Sequence, residues 1–599
     1  MRRAAVQALR AARKSSLRKL AWGKPSVIIT HDGLWSRRLS FAVRRYSNSP
    51  PPLQSSMRLP KLPIAFISTL GAIGAWYAYK GDGLQHLQRK GLQSPVSQTS
   101  GLATNSAPPA DATNSQHAHF PLTAAEATRR ALVVENDQFY AGSIVGDGPL
   151  SKDTDDYGRK VLVMMTPEQA TERLRKNEES FLVGRGRGVV RYDVVQLPSN
   201  DPIEDDRAEK IVEVPSSVAV TDGGAPSSDW MFWGVFDGHS GWTTSAKLRQ
   251  VLISFAAREL NSTYKAALSN PSSPFPAPAA IDAALKSAFV KLDNEICLDS
   301  VNKLIKNPSK RLAAEILAPA LSGSCALLSF YDSRSKILRV ACTGDSRAVL
   351  GRRNPVSGKW FATPLSEDQT GSNPNEEARL RSEHPGEEQV IQNGRVLGNL
   401  EPTRAFGDAF YKWNRDTQDR IKKHFFGRSP HKWLKTPPYV TAEPVVTSTE
   451  IDPTKGDFVV MATDGLWEML TNEEVVGLVG QWVEHQNEKA LSGSSAAWLS
   501  SWFKSSTSPL PVEKGGNMDK TGRSDGKGEL PIRQQQWAVQ SEKVDRYVVE
   551  DKNAATHLVR NALGGRDRDM VCALLTLPSP YSRRYRCVNH PEFPVGELT

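Results

Sequence analysis

Acidic residues stand directly after apolar segments at several points in the sequence. Asp237 in WGVFDGHSG, Asp345 in VACTGDSRAVLG and Asp464 in VVMATDGLWEML are each followed by a small residue, and SNDPIEDD carries Glu204 and Asp205. Carboxylates aimed from several strand ends into one cleft repel one another unless a cation neutralises them. Oxygen ligands suit hard divalent ions such as Mg²⁺ or Mn²⁺. The pattern therefore predicts an oxygen-ligand metal site.

Two residues beside Asp237 fit such a site. Gly238 has no Cβ, so its backbone carbonyl can approach a cation closely. His239 carries an imidazole, which can give or take a proton near neutral pH. The alternative is structural, because Asp-Gly is a common turn and a histidine in a turn needs no chemical role. The motif DGHSG by itself leaves both interpretations open.

Strands and helices must position these residues, and the sequence contains candidates for both. Apolar runs predict strands at 181–197, 230–236, 324–332, 337–345 and 457–465. Apolar residues three and four positions apart predict helices at 242–260, 279–301, 375–384 and 472–485. The strands occur as hairpin-like neighbours and the helices in separate runs, which favours an α+β layered fold over a doubly wound parallel sheet.

The net charge of +11 belongs to the first 50 residues, which hold 12 of the 76 Lys and Arg and only one acid, Asp32. The other 549 residues carry 64 basic and 64 acidic side chains, so the charge gives no support to a nucleic-acid partner. Residues 1–50 are Arg-rich with one apolar helical face, which predicts a mitochondrial transit peptide. The alternative is a disordered basic tail.

Three further segments differ in composition from the folded part. Residues 62–79 are uncharged and end among aromatic residues, which predicts a single transmembrane anchor, with an amphiphilic or cleaved sorting segment as the alternative. Residues 81–120 are rich in Ser, Thr, Ala and Pro and predict a disordered linker. Residues 486–545 are polar and predict a long disordered insertion within a domain that spans 121–586.

The five cysteines, at positions 297, 325, 342, 572 and 587, show no CxxC pair and no regular spacing. Neither a zinc site nor a disulfide framework is indicated. We expect reduced, structural thiols.

Four motifs carry a resemblance to a known family. DGHSG, GDSRAVLG, LEPTRAFGD and ATDGLWE occur in this order, and the chain is similar to metal-dependent protein phosphatases of the PPM type (protein phosphatase type 2C) from about residue 180 to 480. The segments RSEHPGE and TPPYVTAEP resemble the mitochondrial pyruvate dehydrogenase phosphatase branch. The resemblance implies a four-layer α-β-β-α sandwich of two antiparallel sheets flanked by helix pairs.

The resemblance also implies roles around a first metal ion. Asp237 would bridge two ions, Glu204 and the Gly238 carbonyl would complete the coordination of one, and Asp205 would support them from behind. His239 would be the general acid that protonates the leaving serine oxygen.

The remaining implied ligands lie further along the chain. Asp464 would bind the second ion, and Asp345 with Glu468 would hold a looser third ion. Mg²⁺ or Mn²⁺ is the implied cofactor, in two or three copies. Elsewhere in the motifs, we expect Arg404 and Asp408 to form a buried ion pair, and Arg347 to order its own turn.

The sequence departs from the family pattern in two places. Asn200 stands where many relatives keep a phosphate-binding arginine. Relatives end on a strand introduced by an arginine and two acids, whereas here residues 587–599 read CVNHPEFPVGELT, and we do not expect Asp567 or Asp569 to replace the missing acids. A gene-model error, which we favour, a truncated isoform or a pseudophosphatase would each explain this tail.

The resulting hypothesis is hydrolysis of phosphoserine and phosphothreonine on mitochondrial proteins. The resemblance implies the pyruvate dehydrogenase complex as substrate, through its E1 subunit, and the leader with segment 62–79 allows the matrix, the inner membrane or the intermembrane space. The alternative is a non-catalytic binding or scaffold protein.

Overall fold

The structure is a computed structural model, and it describes residues 128–135, 138–146, 148, 150, 153–214, 228–269, 275–452, 455–492, 510–513 and 546–579. The predicted transit peptide, anchor and linker and the tail 587–599 lie outside these ranges. Among the described residues there is no helix with the length and apolar character needed to cross a bilayer. The anchor predicted at 62–79 lies outside the described ranges, so it remains a prediction.

Eighteen strands are present in the described part of the chain. In chain order they are β1 (Thr128–Glu135), β2 (Gln138–Val145), β3 (Lys160–Val163), β4 (Glu179–Leu182), β5 (Arg191–Val194), β6 (Asp206–Val214), β7 (Ser228–Phe236), β8 (Gly238–His239), β9 (Gly323–Ser324), β10 (Ala326–Asp332), β11 (Ile337–Thr343), β12 (Arg347–Arg353), β13 (Trp360–Pro364), β14 (Ile391–Gln392), β15 (Arg395–Val396), β16 (Phe406–Gly407), β17 (Val445–Glu450) and β18 (Phe458–Ala462).

Twelve α-helices accompany the strands in the same described ranges. They are α1 (Pro167–Arg175), α2 (Thr243–Leu268), α3 (Pro278–Asn294), α4 (Ser300–Lys306), α5 (Lys310–Ile316), α6 (Ala318–Leu321), α7 (Pro374–Glu383), α8 (Arg415–His424), α9 (Asp464–Trp467), α10 (Asn472–Ser492), α11 (Ala554–Ala562) and α12 (Arg568–Thr576). A π-helical turn, Glu295–Asp299, joins α3 to α4, and a 3₁₀ turn, Ala409–Tyr411, follows β16.

Two antiparallel sheets form the centre of the fold. The larger has the order β17-β11-β10-β7-β6, and the smaller has the order β13-β12-β18. Three short strands make a separate ribbon in the order β16-β9-β8, while β14 pairs with β15, β4 with β5, and β1 lies between β2 and β3. This mixture of helices with antiparallel sheets confirms the predicted α+β class.

Successive side chains of one strand enter different hydrophobic clusters, as the two-residue period of a strand requires. In β7, Trp230, Phe232 and Phe236 pack in a cluster with residues of α2 and α3, whereas Met231 packs in a cluster with Ala348 and Leu350 of β12. Val349 of β12, between those two residues, packs instead with residues of α10 and α11. Both faces of β7 and of β12 are therefore apolar.

Several predicted elements are confirmed, with shifts at their ends. Helix 242–260 is longer than predicted and runs to Leu268, and helix 472–485 continues to Ser492, past the predicted start of the insertion. The single strand predicted at 181–197 is wrong, because two strands, β4 and β5, replace it. Gly186 and Gly188 between them have φ of 66° and 98°, a left-handed region that a continuous strand does not visit.

Candidate metal centre

Three carboxylates meet at the ends of strands from both central sheets. Asp237 directly follows β7, Asp345 lies two residues after β11, and Asp464 lies two residues after β18 and begins α9. One oxygen from each of the three lies within 4.8 Å of the other two. The strand-end arrangement predicted from the sequence is therefore present for these three residues.

Glu204 and Asp205 reach the same region by a different route from the predicted one. They do not follow a strand that ends at Leu197, because β5 ends at Val194; they directly precede β6. Antiparallel pairing sets Asp206 opposite Phe236, so the start of β6 lies beside the end of β7. The side chain of Asp205 lies beside that of Asp237, and the Asn200 amide donates to Glu204 Oε2 at 2.7 Å.

Burial and mutual repulsion raise the pKa values of these acids. Burial is the first cause for each acid, and it raises the pKa of Asp205 to about 6. The pKa values of Asp237 and Asp464 rise well above the ordinary range, first through burial and then through the charges of the neighbouring carboxylates. The pKa of Asp345 is also raised by burial. Negative charge is therefore costly here unless a cation is bound.

Glu468 and a further acid extend the cluster. Glu468 is buried one turn after Asp464, and its backbone N–H donates to the Asp464 carbonyl at 2.8 Å.

Glu401 was not predicted from the sequence. Burial, followed by the charges of Asp345 and Glu468, raises the pKa of Glu401 to about 8, although Arg395 donates a hydrogen bond to it at 2.5 Å. Glu401 lies in the motif LEPTRAFGD, but only the folding of the loop brings it near Asp345 and Glu468.

His239 lies on the ribbon beside the cluster and is paired with Asp408. The distance from His239 Nε2 to Asp408 Oδ2 is 2.6 Å, and both side chains are buried. Burial favours the neutral imidazole, but the charge of Asp408 and its hydrogen bond, followed by the charge of Asp345, raise the pKa of His239 overall.

Two predicted roles for charged residues in the motifs are wrong. Arg404 does not pair with Asp408, because its guanidinium donates to both oxygens of Glu376, at 3.0 and 2.6 Å. Arg347 does not order its own turn; it pairs with Asp368 and donates to Asn472 at 3.0 Å. In both cases the partner is distant in sequence, so local spacing could not identify it.

Trp467 is buried in the core, and Arg347 stacks over its ring with 5.3 Å to the centroid. Asp567 and Asp569 were not expected to replace the missing acids, and both side chains have other contacts. Asp567 caps α12 through the Met570 N–H, and Asp569 pairs with Arg130, so neither belongs to the group formed by Asp237, Asp345 and Asp464.

The four cysteines in the described ranges are free and buried, as predicted. Cys325 donates to Asp345 Oδ1 at 3.1 Å, and burial followed by the charges of Asp345 and Asp237 raises the pKa of its thiol well above the usual value. The thiol is therefore kept protonated, and the donor set of the cluster consists of oxygen atoms. Such a set fits a hard divalent cation.

Comparisons with known proteins agree with this chemistry. A protein-family profile described as protein phosphatase 2C matches residues 211–497. A protein phosphatase 2C homolog of Schizosaccharomyces pombe is 43% identical over 420 residues, which cover 69% of this chain and 82% of that protein.

Two further similar proteins are named after a substrate. The mitochondrial pyruvate dehydrogenase (acetyl-transferring) phosphatase 1 of Saccharomyces cerevisiae is 42% identical over 439 residues, covering 71% of this chain and 72% of that protein. The human protein of the same name is 30% identical over 486 residues, covering 70% of this chain and 81% of that protein.

Proposed function

This chain belongs to the protein phosphatase 2C family and is a metal-dependent protein serine/threonine phosphatase, and we propose that it acts on mitochondrial phosphoproteins, with the pyruvate dehydrogenase complex as substrate. The observation that carries the activity is the convergence of Asp237, Asp345 and Asp464 within 4.8 Å. The printed names of the similar yeast and human phosphatases support the substrate, through the E1 subunit, and the mitochondrial location.

We infer the following division of roles among the acids. Asp237 would be shared by two cations, the Gly238 carbonyl and Glu204 would complete the ligands of one of them, and Asp205, which lies beside Asp237, would support that ligand. Asp464 would complete the ligands of the other cation. The raised pKa values of Asp237 and Asp464 support this assignment, because burial and then repulsion disfavour their charged forms and a bound cation would offset both effects.

A third, looser cation at Asp345 and Glu468 is part of the same proposal. Mg²⁺ or Mn²⁺, when bound, would supply Lewis acidity and an activated water. His239 would then hold the proton that the leaving serine or threonine oxygen needs. This role is supported by its position two residues after Asp237 and by its raised pKa.

We also infer that the fold is the four-layer sandwich of the family. The alternation of side chains in β7 and β12 supports this order: α2 and α3, the five-stranded sheet, the three-stranded sheet, then α10 and α11. For localisation, the Arg-rich residues 1–50 support mitochondrial import, and the anchor predicted at 62–79 would attach the enzyme to the inner membrane.

A direct experiment separates this function from the non-catalytic alternative. Phosphatase activity on a phosphoserine peptide from the pyruvate dehydrogenase E1 subunit is measured with Mn²⁺, for this chain and for a chain whose residues 587–599 are replaced by a family-type strand with an arginine and two acids. Mn²⁺-dependent activity in either chain supports the catalytic function. Activity in neither chain would favour the scaffold.

A further inference from the structure

We propose that Asp408 is the positioning residue of the general acid His239. This inference rests on the proposed function, because it needs His239 to protonate the leaving oxygen. The carboxylate of Asp408 can only accept a hydrogen bond, so the 2.6 Å contact assigns the proton on Nε2 to this pair. The other ring nitrogen, Nδ1, is then the one that exchanges a proton with the substrate.

The backbone holds the two residues at a fixed separation. His239 in β8 pairs with Gly323 in β9, and β9 pairs in turn with Phe406 and Gly407 of β16, directly before Asp408. The Asp408 N–H donates to the Ser322 carbonyl at 2.9 Å. Both members of the pair are therefore attached to the same short strand.

Gly323 provides the space in which the two side chains meet. A Cβ at position 323 would lie 2.1 Å from His239 Nε2 and 2.2 Å from Asp408 Oδ2. Any larger residue would displace the pair. The glycine is thus required by the contact between imidazole and carboxylate.

Asp408 itself has φ of 47°, in the left-handed region that costs a residue with a Cβ about 1 kcal/mol or more. A buried ion pair fixes the turn before it: Asp293 accepts the Gly407 N–H at 2.9 Å and the Lys412 ammonium at 2.7 Å. Lys412 also donates to the Ala405 carbonyl at 2.8 Å. The turn is thereby held in the conformation that directs Asp408 at His239.

The oxygen of a water molecule bonds to phosphorus while the bond from phosphorus to the serine oxygen breaks. The serine oxygen takes the proton from His239 Nδ1, and a proton from the attacking water restores the imidazolium. Throughout, the hydrogen bond between His239 Nε2 and Asp408 is kept, so the effect of Asp408 is to hold the ring in one orientation with Nδ1 free for the substrate.

The test compares two substrates with different leaving groups. For Asp408→Asn, kcat on a phosphoserine peptide should fall by about 10²-fold, the lower end of what a general acid contributes. On p-nitrophenyl phosphate, whose leaving group is stable as an anion, kcat should change little. His239→Asn should show the same selective loss, and combining the two substitutions should add almost nothing.

Controls distinguish a failed inference from a failed function. Asp332→Asn changes another buried aspartate, hydrogen-bonded to Tyr264 at 2.9 Å, and should leave the ratio of the two kcat values unchanged. Asp237→Asn should lose both activities, and if it loses neither, the proposed function fails. An equal loss on both substrates for folded Asp408→Asn, or no loss on the peptide, overturns the positioning role. If Asp408→Asn does not fold, Asp408→Ser is judged by the same ratio.

Discussion

The backbone of Gly238 lies directly against the carbonyl of Glu204. A Cβ on Gly238 would be 2.1 Å from that carbonyl oxygen and 2.9 Å from Ser245 Oγ, whose hydroxyl donates to the same carbonyl. The φ of Gly238 is not positive, so the position requires glycine for space rather than for conformation. The glycine therefore brings one proposed ligand, Glu204, next to another, Asp237.

Gly238→Ala should separate the two segments. We expect a loss of about 1–3 kcal/mol in the free energy of unfolding, because a methyl group is forced into a filled space, together with weaker Mn²⁺ binding. Urea unfolding and a Mn²⁺ titration of activity measure the two effects. Gly184→Ala is the matched control, since nothing lies within 4 Å of its added Cβ. Equal behaviour of the two variants would contradict this explanation.

Asp237→Asn should abolish metal-stimulated activity and also stabilise the metal-free protein. Asp237 is buried beside Asp345 and Asp464, and removing its charge relieves their repulsion. Activity should fall by at least about 10²-fold, since bound metal ions contribute several kcal/mol. The Tm in EDTA should rise. Unchanged Mn²⁺ stimulation would refute the metal assignment, and Asp332→Asn should change neither the activity nor its metal dependence.

The local sequence was sufficient to predict where the apolar strands end. Asp237 and Asp345 follow apolar runs that are long enough to predict both the strand and its end, so their convergence could be expected. The predicted class was correct for the same reason. The strand at 181–197 was wrong because its two apolar stretches are separated by the segment GRGRG at 184–188, and the backbone turns at Gly186 and Gly188.

Partners distant in sequence could not be predicted. Asp408 was expected to pair with Arg404 four residues earlier, yet the ribbon directs Asp408 to His239, 169 residues away. Glu401 was not singled out at all, because only the folded loop brings it near Asp345. Which residues form an ion pair depends on tertiary packing, and the spacing of residues in one sequence does not reveal that packing.

The stabilising effect of Mg²⁺ should grow with pH. Asp205 and Glu401 have folded pKa values of about 6 and about 8, above their ordinary values near 4, so the metal-free native state binds more protons than the unfolded state in this range. Its free energy of unfolding therefore falls as pH rises, and Mg²⁺ should restore what is lost.

The measurement is the difference in Tm with Mg²⁺ and with EDTA, from about pH 5 to about pH 8. The difference in Tm cancels the contributions of titrating groups far from the site. His557, whose pKa is lowered by burial to about 4, is one such group. A difference that is constant across this range would contradict the expected competition between protons and metal.

Arg404→Met should destabilise the protein strongly because it leaves a buried charge poorly paired. Burial alone would raise the pKa of Glu376, but hydrogen bonds from Arg404 and Arg379 lower it to about 2, so the pair stabilises the fold above about pH 4.5 and is lost as pH falls toward 2. At about pH 7 we expect a cost of about 3 kcal/mol in urea unfolding. Arg381→Met, which breaks an exposed pair with Glu377 on the same helix, should cost at most about 1 kcal/mol. If the two variants unfold at the same urea concentration, the buried pair does not stabilise the loop that carries Asp408.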